Sequence, residues 1–265
     1  MSQDDQPVRV LVTGFGPFLD VSINPSFEIV KLLSEQHSPA GAGIEIIAHP
    51  VPLKAAYRSL LQTAPDLLRQ HDNPDIVLHI GLATDRDYFA VEQSASRDGY
   101  HQYPDVERQT LRKDEGLAVW GKKSADKLET TLHLDAVVRS WKRNLSLPFG
   151  DGGTVDGDPG RPLLKKGKGR GGGQKRNDAA WAARGRALAS GDVRLSDDVG
   201  DYVCGLLYYA SMAAMQQLRD RVGRRYSGAR NVVFLHVPPL EGEAALAKGL
   251  EVVVALIKAL AESVT

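Results

Sequence analysis

The 265-residue sequence predicts an α/β fold, a three-layer α/β/α sandwich around a mostly parallel, twisted sheet. Three observations carry that reading. Short apolar runs rich in β-branched residues end at glycine or proline, as buried strands do. Segments with apolar residues at helical spacing stand between them. The apolar share of 42% is enough for a substantial core, beside an ordinary 25% of charged residues.

Taken in order, "VRVLVTG" (8–14) reads as a buried strand stopped by glycine. Pro25 suits a first helical turn, and Phe27, Ile29, Val30, Leu32 and Leu33 give an apolar face to a helix reaching about residue 36. "IEIIAHPVP" (44–52) is a second strand, which its prolines assign to a sheet edge. A helix from Lys54 to about Arg69 leads to "DIVLHIG" (75–81), another buried strand. After a less regular middle come a helix in "LDAVVRSWKR" (134–143), a strand in "NVVFLHV" (231–237) and a long C-terminal helix. Ligands of such sheets bind outside the carboxyl ends of the strands.

Residues 145–191 depart from this pattern. They are glycine-rich, and "RPLLKKGKGRGGGQKR" (161–176) has no acidic residue, so the stretch reads as a mobile insert unable to bury a core of its own. A basic tether for RNA is the alternative role, although no aromatic residue interleaves with the charges. Over the whole chain charge balances to zero, which gives no reason to expect nucleic acid or an anionic membrane as partner. The polar start MSQDDQPVRV lacks a secretory h-region, and the most apolar run, "VVVALIKALA", is too short to span a bilayer. A single cysteine rules out an intramolecular disulfide and a cysteine zinc cage, so a cytoplasmic location is expected.

The stretch "TGFGPFLDVSINPS" (13–26) poses the functional question. Strand, glycine turn and helix suggest a dinucleotide fingerprint, but Leu19 stands where its third glycine belongs and Pro17 lacks an N–H. Phe15 and Phe18 make the loop an apolar wall suited to a flat neutral ring, or they fill the core beneath it. Cys204 falls in the first turn of a helix whose face is Val203, Leu206, Leu207, Ala210, Ala214 and Leu218. Unpaired N–H groups there favour a thiolate and could receive an oxyanion. His236 ends an apolar strand, at the rim where α/β enzymes place their chemistry, whereas His79 lies within a strand and reads as core. Glu92 follows the 75–81 strand in an alternating run, as a solvated strand residue or as a carboxylate able to orient an imidazole.

Four blocks in order resemble the pyroglutamyl-peptidase I family of cysteine peptidases: "TGFGPFLDVSINPS", "DIVLHIGLATDRDYFAVEQSA", "SDDVGDYVCGLLYYA" and "FLHVPPLEGE". The resemblance implies one α/β domain over 1–265, with Cys204 as nucleophile, His236 as general base and then acid, and Glu92 orienting His236. It implies Phe15, Phe18 and Tyr202 around the pocket for a pyroglutamyl ring, and Arg86 near the oxyanion. Small peptides with N-terminal pyroglutamate would be the substrates, with no metal or organic cofactor; a homo-oligomer is compatible with it. The chain departs from the family pattern at Gly16 (usually acidic), at Leu19-Asp20 and Thr84-Asp85 (glycine pairs), at Tyr202 (phenylalanine) and at Gly205 (asparagine).

Overall fold

The computed structural model describes residues 6–36, 40–41, 43–121, 123–146, 192–222 and 228–265. From residue 147 onward the expected insert, with its 161–176 basic run, lies outside the described residues. A six-stranded sheet forms the middle layer, in the order β2-β1-β3-β8-β4-β7. Its strands are β1 (Val8–Gly14), β2 (Ile44–Ala48), β3 (Ile76–Leu82), β4 (Phe89–Glu92), β7 (Val193–Ser196) and β8 (Val232–Val237). The strands read from the sequence match β1, β2, β3 and β8 within a few residues, and β2, with the proline-bearing run, is an edge strand. A short ribbon pairs β5 (Ser94–Ser96) with β6 (Lys127–Glu129).

The sheet is parallel except where β4 meets β8. Loop length dictates that exception. Only residues 83–88 join β3 to β4, and a parallel crossover needs a dozen or more. The chain therefore turns back, and β8 later enters between β3 and β4.

Alternation along the strands sends apolar side chains to both faces. On one face Val10, Val12, Leu78, Ile80, Val233 and Leu235 pack with α1 (Pro25–Glu35), α4 (Leu134–Asn144) and α6 (Glu243–Glu262). On the other, Leu11, Val77, Val232 and Phe234 pack with α2 (Tyr57–Gln70) and α5 (Val203–Val222). A short α3 (Lys113–Trp120) lies on this second face, its Trp120 edge-on to Tyr209 of α5 at 4.9 Å. Among the described residues no helix is long and apolar enough to cross a membrane.

Candidate active site

The opening loop settles its own question through its donors. The Phe15 N–H donates to Ser26 Oγ (3.0 Å), that of Gly16 to the Leu53 carbonyl (2.9 Å) and that of Phe18 to the Val21 carbonyl (3.1 Å). Pro17 has none, so no N–H of residues 15–18 is left for a phosphate, whose cradle is made of bare backbone donors. Gly14 has a different task. A Cβ there would come 2.7 Å from the Phe27 nitrogen, so the missing side chain lets helix α1 close on the strand end. Asn24 caps that helix, accepting from Ser26 N (3.1 Å) and donating to the Gly16 carbonyl (3.0 Å).

Cys204 stands in the first turn of α5, as the sequence predicts. Gly200, with φ +78°, turns the chain toward the helix, and Gly205 packs directly against the Gly200 carbonyl. Any side chain at 205 would overlap that carbonyl, which accounts for the glycine there. The sulfur rests on β3: a Cβ on Gly81 would lie 3.2 Å from it and 2.7 Å from the Phe234 ring. Gly81 pairs with His236 on the neighbouring strand, so the helix-borne thiol lies over β3 at the level where β8 carries the imidazole.

His236 lies on the same face as Phe234, their rings 4.9 Å apart. In the antiparallel β4–β8 register Ala90 pairs with His236 and Glu92 with Phe234. That register places Glu92 diagonally behind His236, toward the sheet interior, and the carboxylate is 0% exposed. It is not a solvated strand residue, because the return of β4 along β8 carries it inward. Its Oε1 lies 2.8 Å from His236 Nδ1 and accepts from Arg86 Nη1 at 2.6 Å, while Oε2 accepts from Asp198 N at 3.0 Å. Burial alone would raise its pKa, but His236 and Arg86 outweigh burial and bring it down to about 2. An ionised carboxylate only accepts, so Nδ1 carries the proton and Nε2 is the nitrogen left for chemistry.

The thiol departs from the expectation of a lowered pKa. Burial and the Glu92 charge push it up to about 12, against the smaller opposite pull of Arg86 and a backbone N–H. Desolvation at the sheet surface thus exceeds the helix-start effect. Arg86 also clasps the Asp198 carbonyl through Nη2 (2.7 Å), which makes it the brace of Glu92. Among the aromatic residues, Phe15 is only 3% exposed and packs on Phe234 at 6.4 Å, whereas Phe18 and Tyr202 are half-buried at the margin of the same apolar cluster. Tyr202 meets the Tyr57 ring edge-on at 5.7 Å, and its hydroxyl is buried with no partner. Asp198, Phe234 and Gly81 were not read as site residues. Only the glycine carried a signal, as the end of a buried strand. Among the described residues no group of three metal-ligating side chains occurs.

The pyroglutamyl peptidase family profile matches residues 8–123, the stretch that carries Phe15, Phe18, Arg86 and Glu92. A pyrrolidone-carboxylate peptidase of Thermosipho melanesiensis is 38% identical over 88 residues, covering 33% of this chain and 40% of that protein. The rat pyroglutamyl-peptidase 1 is 26% identical over 237 residues, covering 89% and 82%. In sequence the chain is thus similar to the pyroglutamyl peptidase I family, the profile match lying in its N-terminal part. Members of the family are cysteine peptidases. Pyroglutamyl peptidase I of Bacillus amyloliquefaciens has the same fold, with a TM-score of 0.62 at 19% identity over 96% of this chain and 97% of that one. The pyrrolidone carboxyl peptidase of Pyrococcus furiosus agrees at 0.63 and 18%, over 96% and 98%.

Proposed function

We propose that the chain is a cysteine exopeptidase, an omega peptidase, that hydrolyses the amide bond after an N-terminal pyroglutamyl residue of peptides. The single observation that carries this reading is the carboxylate–imidazole pair of Glu92 and His236 beside the strand level at which the Cys204 sulfur rests. His236 Nε2 takes the thiol proton as the sulfur attacks the pyroglutamyl carbonyl. The carbonyl oxygen becomes an oxyanion, received by N–H groups at the start of α5. The imidazolium then protonates the departing amine, leaving a thioester on Cys204. Water, losing a proton to His236, hydrolyses that thioester and releases pyroglutamate. Glu92 holds the imidazole in one tautomer and balances its transient charge.

A pyroglutamyl ring has no charged α-amine, so aromatic walls supplied by Phe18 and Tyr202 would suit it. This chemistry requires neither metal nor organic cofactor. The high thiol pKa supports activation by proton transfer on substrate binding, since a standing thiolate is disfavoured in the resting site.

Hydrolysis of a pyroglutamyl fluorogenic amide tests the reading. Cys204→Ala should lose roughly a thousandfold or more in turnover. Iodoacetamide should inactivate the parent with one equivalent bound, at a rate still rising above pH 10. Full activity of the alanine variant would refute the mechanism. The unpartnered Tyr202 hydroxyl favours a second reading, an altered acyl preference, which the same assay checks with acyl groups that carry a further hydrogen-bonding group on the ring.

A further inference from the structure

We infer that His79 is a positioning residue for the nucleophile, anchoring the Cys204 helix to the sheet through Ser211. The imidazole is fully buried and lies between two hydroxyls, with Nδ1 2.7 Å from Thr13 Oγ1 on β1 and Nε2 2.8 Å from Ser211 Oγ on α5. Three elements thus meet at one ring. Ser211 follows Cys204 by seven residues, almost two full turns, so both side chains leave α5 on the same side. His79 and Gly81 are two apart on β3 and share one face of the sheet. The helix therefore rests on β3 at two points. Its first turn sits where Gly81 admits the sulfur, and Ser211 is held two turns further on by His79.

The same ring also supports the base. His79 and His236 flank Phe234 on this face, at 6.3 Å and 4.9 Å between ring centroids. Burial keeps His79 neutral, its pKa pushed down to about 3, so it always has one donor and one acceptor nitrogen to match two hydroxyls. A packing residue alone needs no such pairing, and an apolar side chain would fill this position without two buried polar partners. A charge-free, two-ended polar link fixes the height and azimuth of a helix more narrowly than apolar contact does.

The test compares two matched cuts. Ser211→Ala removes the helix end of the link, and Thr13→Val removes the strand end; each orphans one ring nitrogen at equal burial. If His79 positions Cys204, Ser211→Ala should lower kcat roughly ten- to a hundredfold with little change in KM, as a displaced reacting group does. Iodoacetamide should then alkylate the folded variant several-fold faster, because the sulfur is less enclosed. Thr13→Val should keep both rates near the parent's. His79→Gln, which can pair with both hydroxyls, should retain most of kcat.

The triple variant Thr13→Val, His79→Leu, Ser211→Ala has no orphaned hydroxyl and separates position from stability. It should recover the parent's unfolding midpoint and still show the low kcat and fast alkylation. Recovery of kcat along with stability, or equal behaviour of Ser211→Ala and Thr13→Val, would overturn the proposal. The kinetic arm rests on the peptidase reading, but the alkylation arm does not. A parent that cleaves no pyroglutamyl amide removes the first and leaves the second to decide.

Discussion

Glu92 has two jobs that a substitution separates. As the acceptor for His236 Nδ1 it sets a tautomer, and as the counter-charge of Arg86 it holds a buried ion pair together. Glu92→Gln keeps an oxygen for Nδ1, so it should retain more activity than His236→Ala, which removes base and acid at once. Single-turnover rates of the folded variants give the ranking, and the reverse order contradicts these roles. Stability should move the other way, because Glu92→Gln leaves Arg86 without its carboxylate, at a cost of about 3 kcal/mol. Acid exposes the same link. With a folded pKa of about 2 against an ordinary 4.5, the carboxylate stabilises the fold fully above pH 4.5. That contribution declines as pH falls toward 2, and the glutamine variant should lack that part of the acid transition.

At the scale of elements, the start of α5 is the most constrained junction of the site. Gly200 turns at φ +78° and Gly205 touches its carbonyl, so the first helical turn is laid flat on the preceding loop. Gly205→Ala should lift that turn, lowering stability by about 1–3 kcal/mol, as overpacking does, and displacing Cys204. Thermal unfolding and turnover should fall together; an unchanged turnover means that the turn does not seat the thiol. The elements also differ in how far the sequence discloses them. β1, β3 and β8 are buried runs bounded by breakers, and their periods are legible. β4 and β7 are four residues each, too short for a period; the direction of β4 follows from loop length and from the late arrival of β8, and β7 pairs only with β4. Cys204 and His236 were legible from their positions at element ends. The burial of Glu92 was not, because it is a property of register, and the raised thiol pKa was not, because it depends on what covers the helix start.

On the scale of the whole molecule, the sheet order interleaves the two ends of the chain. β8, from the last quarter, is the middle partner between β3 and β4, and β7 closes the edge beside β4. Phe18, Arg86 and Glu92 therefore come from one side of residues 147–191, and Tyr202, Cys204 and His236 from the other. The proposed site has no half that is complete. This makes the protein a natural two-piece system. Residues 1–146 and 192–265, produced as separate polypeptides, should each be inert toward a pyroglutamyl amide and should regain hydrolysis when mixed. The recovered rate should saturate with the concentration of the second piece, because every added β8 must slot between two strands that the first piece already holds. Activity from either piece alone would show that the reacting groups lie elsewhere. Success would turn the connection into a reporter: two proteins fused to the pieces would light a fluorogenic amide only when they meet.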